Sequence, residues 1–237
     1  MHYNDQSAAR RAPTVAQNAS GLARYMASVY GFMGLGLAIS GLIAFLTASS
    51  ESFVHAMFRS SLLRTAILVV PFFMCMTLIA AVHKMSRNVA LAVFFLYAGT
   101  LGFSLSYIFL LFSSATIVST FVVSASLFFG MSVFGLVTKK DLTELGSFFF
   151  MGLLGFIIAS LVSLFLHNSV LSVVLSVVAV VIFTGLTAFH SQNIKALYEN
   201  APDRDTADKN AILGALTLYL QFINIFVNLL RLFGSRK

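Results

Sequence analysis

Seven long apolar runs, parted only by short polar loops, fill nearly all of this chain. Crossing about 30 Å of hydrocarbon takes roughly 20 helical residues. On that scale the runs are residues 25–47, 62–82, 89–112, 117–137, 148–166, 170–189 and 211–233. None alternates strictly between polar and apolar positions, which argues against a lipid-facing β-barrel. Helices are the other way to satisfy a backbone in lipid. Runs three and four are split only by Ser113, Ser114, Ala115 and Thr116, and runs five and six only by His167, Asn168 and Ser169, so each pair reads as a tight helical hairpin. The pattern predicts an all-α, polytopic membrane protein: an N-terminal tail over 1–24, a seven-helix transmembrane domain over 25–233, and a C-terminal tail over 234–237.

Composition supports this reading. Of 237 residues 59% are hydrophobic and only 10% charged, and the mean hydropathy is +0.92. A soluble domain of this length would carry far more surface charge. Charge placement then gives an orientation. With the N-terminus in the cytoplasm, ten basic residues fall on that side (Arg10, Arg11, Arg24, Lys84, Arg87, Lys139, Lys140, Lys195, Arg204 and Lys209) against five on the other (Arg59, Arg64, Arg231, Arg236 and Lys237). The positive-inside rule therefore expects N-in and C-out. A seventh segment that re-enters without crossing would return the C-terminus to the cytoplasm. No apolar core precedes Tyr25, so a cleavable secretory signal is not expected. The net charge of +7 reads as topology and contact with anionic headgroups, and no separate basic domain speaks for nucleic acid. Cys75 is the only cysteine, which excludes an intramolecular disulfide. Oligomeric state stays open.

Small residues recur at every fourth position on three spans: Ala98, Gly102 and Ser106; Ser126 and Gly130; Gly155, Ala159 and Ser163. Such ridges let helix backbones approach closely in lipid. Pro71 lacks an N–H and frees the carbonyl of Ile67, so a kink is expected in the second span.

Polar positions inside the spans are the candidates for function. Thr217, Gln221, Asn224, Asn228 and Arg231 follow one another at steps of four, three, four and three, a single stripe on the last helix. Against lipid such a stripe is costly, so it should face the bundle interior or a water-filled path. On the sixth span Thr184, Thr187, Ser191 and Lys195 share a face, with His190 beside Thr187. Imidazole titrates near pH 6.5 when unperturbed, which makes His190 a candidate switch. Catalytic constellations are missing: there is no zincin spacing, no acidic cluster in a span, and no central lysine for a Schiff base. An enzyme is not expected, and neither is a resident cofactor or metal site. The stretch Asp203-Arg204-Asp205-Thr206-Ala207-Asp208 looks faintly like a calcium loop but lacks its glycine and its final glutamate, so it reads as a connector.

Several blocks resemble the Bax inhibitor-1 family in its bacterial form. They are Phe183-Thr184-Gly185-Leu186-Thr187-Ala188-Phe189 with Gln192 and Ile194-Lys195; Ala215-Leu216-Thr217-Leu218-Tyr219-Leu220 leading into Phe222-Ile223-Asn224; Asn228-Leu229-Leu230-Arg231-Leu232-Phe233; Thr138-Lys139-Lys140-Asp141-Leu142; and Leu105-Ser106-Tyr107-Ile108-Phe109. The resemblance implies seven helices with the last central, surrounded by the other six. It also implies a pH-sensitive Ca²⁺ leak governed by two aspartates that share a proton. Here His190 and Gln221 stand where those aspartates are expected, so the expected outcome is a gate of altered pH response or a silent one. A neutral His190 would be able to hydrogen-bond Gln221 and latch the last two spans. Lys84 stands where the family tends to place a basic residue at the end of span two, a candidate gate cation. The implied setting is the bacterial inner membrane, or an organelle membrane in a eukaryote, with the lipid bilayer as the constant partner. The alternative function is a membrane regulator that binds other proteins, such as a membrane-bound protease, through the tail 1–24.

Overall fold

The computed structural model describes residues 15–166 and 168–234. The regular elements among them are all helical: α1 (Val15–Ala48), α2 (Glu51–Arg59), α3 (Ser61–Ala81), α4 (Arg87–Leu111), α5 (Ser114–Val137), α6 (Thr143–Leu166), α7 (Ser169–Glu199) and α8 (Arg204–Phe233), with a 3-10 turn at Val82–Lys84. All but α2 are long and apolar enough to cross a membrane, the seven spans that hydropathy predicts. Most of the tail assigned to 1–24, together with His167 and residues 235–237, lies outside the described residues. From Val15 onward that tail is already the start of α1.

The two predicted hairpins are closed by caps. Ser113 Oγ accepts the Thr116 N–H at 3.2 Å and so starts α5. Asn168 Oδ1 accepts the N–H groups of Val170 and Leu171 at 2.9 and 3.2 Å and starts α7. A side-chain acceptor at this position satisfies backbone donors that the first helical turn leaves open.

Helix α8 is the centre of the bundle. It packs against α1, α4, α5 and α7, and Ile212, Leu218, Tyr219 and Ile225 on it are wholly buried. Its principal neighbours are therefore four rather than the expected six. α3 packs on α4 and α6 on α7, which places both at the rim. Rim faces carry bare apolar side chains such as Leu62 (81% exposed) and Val170 (70% exposed), as contact with lipid tails requires.

The ridge on α4 does what small residues do in membranes. Ala98, Gly102 and Ser106 are all buried, and a Cβ on Gly102 would collide with the backbone of Ser40 on α1. On α5 and α6 the expectation fails. Ser126 and Gly130 are exposed, and nothing lies within 4 Å of a Cβ built on Gly130 or Gly155. The inward face of α5 belongs instead to Thr120, Ser124, Phe128 and Ser132. A four-residue step marks a stripe but does not say which stripe turns inward.

Pro71 lies inside α3, and the carbonyl it frees has a partner: Ser104 Oγ of α4 donates to Ile67 O at 2.5 Å. The helix is continuous through the proline, its lost hydrogen bond replaced by a neighbour.

Two helices run further than hydropathy shows. α7 continues ten residues past Phe189 to Glu199, and α8 begins seven before Ala211. At 1.5 Å per residue each is about 45 Å long and overreaches the hydrocarbon. Tyr25 of α1 meets Tyr198 of α7, their ring centroids 4.8 Å apart, and Arg87 of α4 pairs with Asp208 of α8 at 3.4 Å. This end of the bundle holds Arg24, Lys84, Arg87, Lys139, Lys140, Lys195, Arg204 and Lys209 and is called the basic end below. At the far end Gly234 lies against Phe112, so α8 crosses the whole bundle and does not re-enter.

Candidate functional site

The stripe on α8 faces inward over most of its length. Gln221 and Asn228 are 7% and 5% exposed, Thr217 and Asn224 are half-buried, and Arg231 reaches the surface at the far end. The facing helix is α7. Ile194 lies against Gly214, and Asn210 Nδ2 donates to Leu197 O at 3.5 Å. These contacts fix an antiparallel register. Counting back along both helices, Thr187 is level with Gln221 and Thr184 with Asn224, while His190 stands one turn nearer the basic end.

Within this seam the polar groups divide into satisfied and unsatisfied ones. Asn224 Nδ2 donates to Leu220 O at 2.8 Å and Asn228 Nδ2 to Asn224 O at 2.9 Å, each one turn back on its own helix. Thr187 Oγ1 likewise donates to Phe183 O at 2.7 Å. Two oxygens of the seam have no hydrogen-bond partner among the described residues: Thr184 Oγ1 and Gln221 Oε1, both buried. An unpaired polar atom in a dry interior costs about 1–3 kcal/mol.

His190 is half-buried, with its ring 5.2 Å from that of Phe189. No hydrogen bond joins it to Gln221 among the described residues, so the expected latch is not formed. The register explains this, because the two side chains stand on different turns. The hydroxyls at the His190 level come from α1, α5 and α7 itself. Ser191 and Ser132 are 2.8 Å apart, and Ser132 also meets the Tyr30 hydroxyl, so α1, α5 and α7 are tied together there. A second buried cluster sits deeper. The Tyr219 hydroxyl is 2.6 Å from Ser40 Oγ, which lies 2.7 Å from Ala98 O and 2.9 Å from Gly36 O. One serine proton cannot serve everything, so Tyr219 donates to Ser40 and Ser40 donates on to the carbonyls.

Each end of the seam opens into a cleft. At the far end a space of about 810 Å³ is lined by Ser160, Ser163, Asn168, Ser172, Ser176, Asn228 and Arg231. At the basic end a space of about 660 Å³ lies between the start of α1, the start of α4 and the α7–α8 turn. Lys84 is exposed, and neither ion pair found among the described residues includes it. The charged contacts between the α3–α4 turn and α8 are made by its neighbours: Arg87 with Asp208, and Lys209 Nζ, which donates to His83 O at 3.4 Å and pairs with Asp205 at 2.7 Å. Asp203 is the N-cap of α8, accepting the Thr206 N–H at 2.7 Å. That bond holds its carboxyl below the usual carboxylate range. The stretch 203–208, expected to be a connector, is thus the cap and first turn of α8, and the described residues include no group of three or more His, Cys, Asp and Glu able to hold a metal ion. On the neighbouring turn Gln192 Oε1 accepts the Leu142 N–H and its Nε2 donates to Lys140 O, both at 2.9 Å. Gln192 thereby clamps the end of α7 to the α5–α6 connector.

Fold and seam together define a class: an integral membrane protein of seven helices whose central helix carries a buried polar stripe. Residues 22–237 match the family model described as inhibitor of apoptosis-promoting Bax1, and the chain belongs to that Bax inhibitor-1 family. Inner membrane protein YbhL of Escherichia coli K12 is 39% identical over 229 residues, covering 96% of this chain and 98% of YbhL. Protein RP147 of Rickettsia prowazekii is 42% identical over 217 residues, 92% of each chain. A protein of Borreliella burgdorferi is 42% identical over 216 residues, 90% of this chain and 93% of its own length.

Proposed function

We propose that this chain is a slow cation leak that runs along the α7–α8 seam, set in a bacterial inner membrane with its basic end in the cytoplasm. The observation that carries the reading is the pair of buried, unpartnered oxygens, Thr184 Oγ1 and Gln221 Oε1, lying between clefts at the two ends of the bundle. Oxygen ligands suit hard cations, Ca²⁺ among them, and Ca²⁺ favours charged ones. With His190 and Gln221 at the two aspartate positions, no carboxylate serves the seam. The leak is therefore slow, and it lacks the shared proton that would tie flux to pH. Across the neutral range its rate is flat.

Gln221→Leu tests the path. The variant keeps the volume and removes the oxygen. In proteoliposomes loaded with a Ca²⁺ indicator, the native chain should exceed empty vesicles and Gln221→Leu should fall back toward them. Equal flux from the two folded proteins would mean that the ion does not pass Gln221.

A further inference from the structure

The cleft at the basic end carries chemistry that a cation path does not need. Three guanidiniums border it: Arg24 from α1, Arg87 from α4 and Arg204 from α8. The two carboxylates beside them are already engaged. Asp208 pairs with Arg87 at 3.4 Å, and Asp203 is held by the Thr206 N–H at 2.7 Å and its hydroxyl at 3.1 Å. Arg24 and Arg204 have no ion-pair partner among the described residues. Two helices also begin here, α4 at Arg87 and α8 at Arg204, and helix N-termini favour anions.

An independent sign of a ligand comes from Tyr25. This wall residue is 6% exposed, and its hydroxyl is buried with no hydrogen-bond partner among the described residues. Packing against Tyr198 accounts for its ring but not for its oxygen. Free arginines, helix starts and an unused phenolic donor make one set, and that set suits a phosphate mono- or diester. The shape suggests where the phosphate comes from. Arg24, Ser28 and Phe32 line one edge of the cleft at every fourth position of α1, so the edge descends about 12 Å from charge to apolar surface. Below it Leu35 is 56% exposed.

We propose that this cleft binds the phosphate of an anionic glycerophospholipid, with the headgroup between Arg24 and Arg204, Tyr25 donating to it, and an acyl chain along Phe32. The proposal does not rest on ion conduction. Basic pockets between membrane helices on the cytoplasmic side are a general means of holding anionic lipid.

The test is binding to the intact protein in detergent, read by native mass spectrometry and by thermal shift. The probes are phosphatidylglycerol, phosphatidylcholine of equal chain length, and inorganic phosphate. Phosphatidylglycerol should bind at least about 10-fold more tightly than phosphatidylcholine. The Arg24→Gln, Arg204→Gln double variant should lose that preference, since a charge-assisted hydrogen bond contributes about one to two orders of magnitude. Tyr25→Phe keeps the ring and the packing, and should weaken phosphatidylglycerol by about 3-fold or more. Arg231→Gln, at the far end, should change nothing. If inorganic phosphate binds as tightly as the lipid, the lipid source is overturned and the cleft is a soluble-phosphate site. The proposal as a whole is overturned if the two lipids bind alike, or if both cleft variants, folded, bind phosphatidylglycerol as the native chain does.

Discussion

The hydroxyl of Ser104 should matter only because residue 71 is proline. Pro71 leaves the Ile67 carbonyl without its helical donor, and Ser104 Oγ supplies one at 2.5 Å. Ser104→Ala leaves that carbonyl unpaired between two helices. Losing one partner of a buried hydrogen bond costs about 1–3 kcal/mol, while measured side-chain bonds in membranes average about 0.6 and reach about 1.7 kcal/mol. An acceptor with no alternative donor belongs near the top of the membrane range, so about 1–1.5 kcal/mol is expected. In a Pro71→Ala background the helix regains its own N–H donor, and Ser104→Ala should then cost less than about 0.5 kcal/mol. The assay is a double-mutant cycle by equilibrium unfolding, in bicelles with steric trapping. It should give a coupling of about 1 kcal/mol. If Ser104→Ala costs the same in the native chain as in the Pro71→Ala background, the account of the proline is wrong.

Other expectations follow from the same contacts. Gly135→Ala should destabilise the protein by about 1–3 kcal/mol, because its Cβ would strike the backbone of Ala188; Gly130→Ala, on open surface, is the control and should leave unfolding unchanged. Gln221→Leu should stabilise the fold by up to about 1 kcal/mol, since an unpartnered buried oxygen is removed, even as it suppresses flux. Asp203→Ala should lower the unfolding midpoint at pH 7 through loss of the α8 cap. Because the folded carboxyl titrates lower than the free one, the cap contributes fully above the ordinary carboxylate pKa and its contribution is lost as pH falls through the folded value. The native and Asp203→Ala midpoints should therefore converge in acid.

Much of this architecture was legible in the residues, and the parts that were not have physical causes. Hydropathy found the seven spans because lipid demands long apolar stretches. It ended α7 at Phe189 because Ser191, Gln192 and Asn193 are polar, yet the helix runs on to Glu199, held by Gln192 on the α5–α6 connector. It missed α2, whose nine residues are too short to span and mix polar with apolar side chains. The α8 stripe turns inward as expected at Gln221 and Asn228, is half-buried at Thr217 and Asn224, and is exposed at Arg231. For the ridges on α5 and α6 the expectation fails, since spacing alone carries no direction. The Tyr30–Ser132–Ser191 and Ser40–Tyr219 contacts join residues 59 to 179 apart, and no local pattern announces such pairs. The Gln221–His190 latch is not formed for a related reason: the α7–α8 register, set by Ile194 against Gly214 and Asn210 on Leu197, puts the two residues a turn apart.

The measurement that bears most directly on the leak is Ca²⁺ flux into proteoliposomes at pH 6, 7 and 8, comparing the native chain with a His190→Asp, Gln221→Asp double variant. The native chain should conduct slowly, above empty vesicles and at nearly the same rate at all three pH values. The variant should conduct faster at pH 8 and respond to pH, because it adds two carboxylates to the seam and burial raises a carboxyl's pKa toward the neutral range. Folded native protein that passes no Ca²⁺ at any of the three pH values would contradict the account.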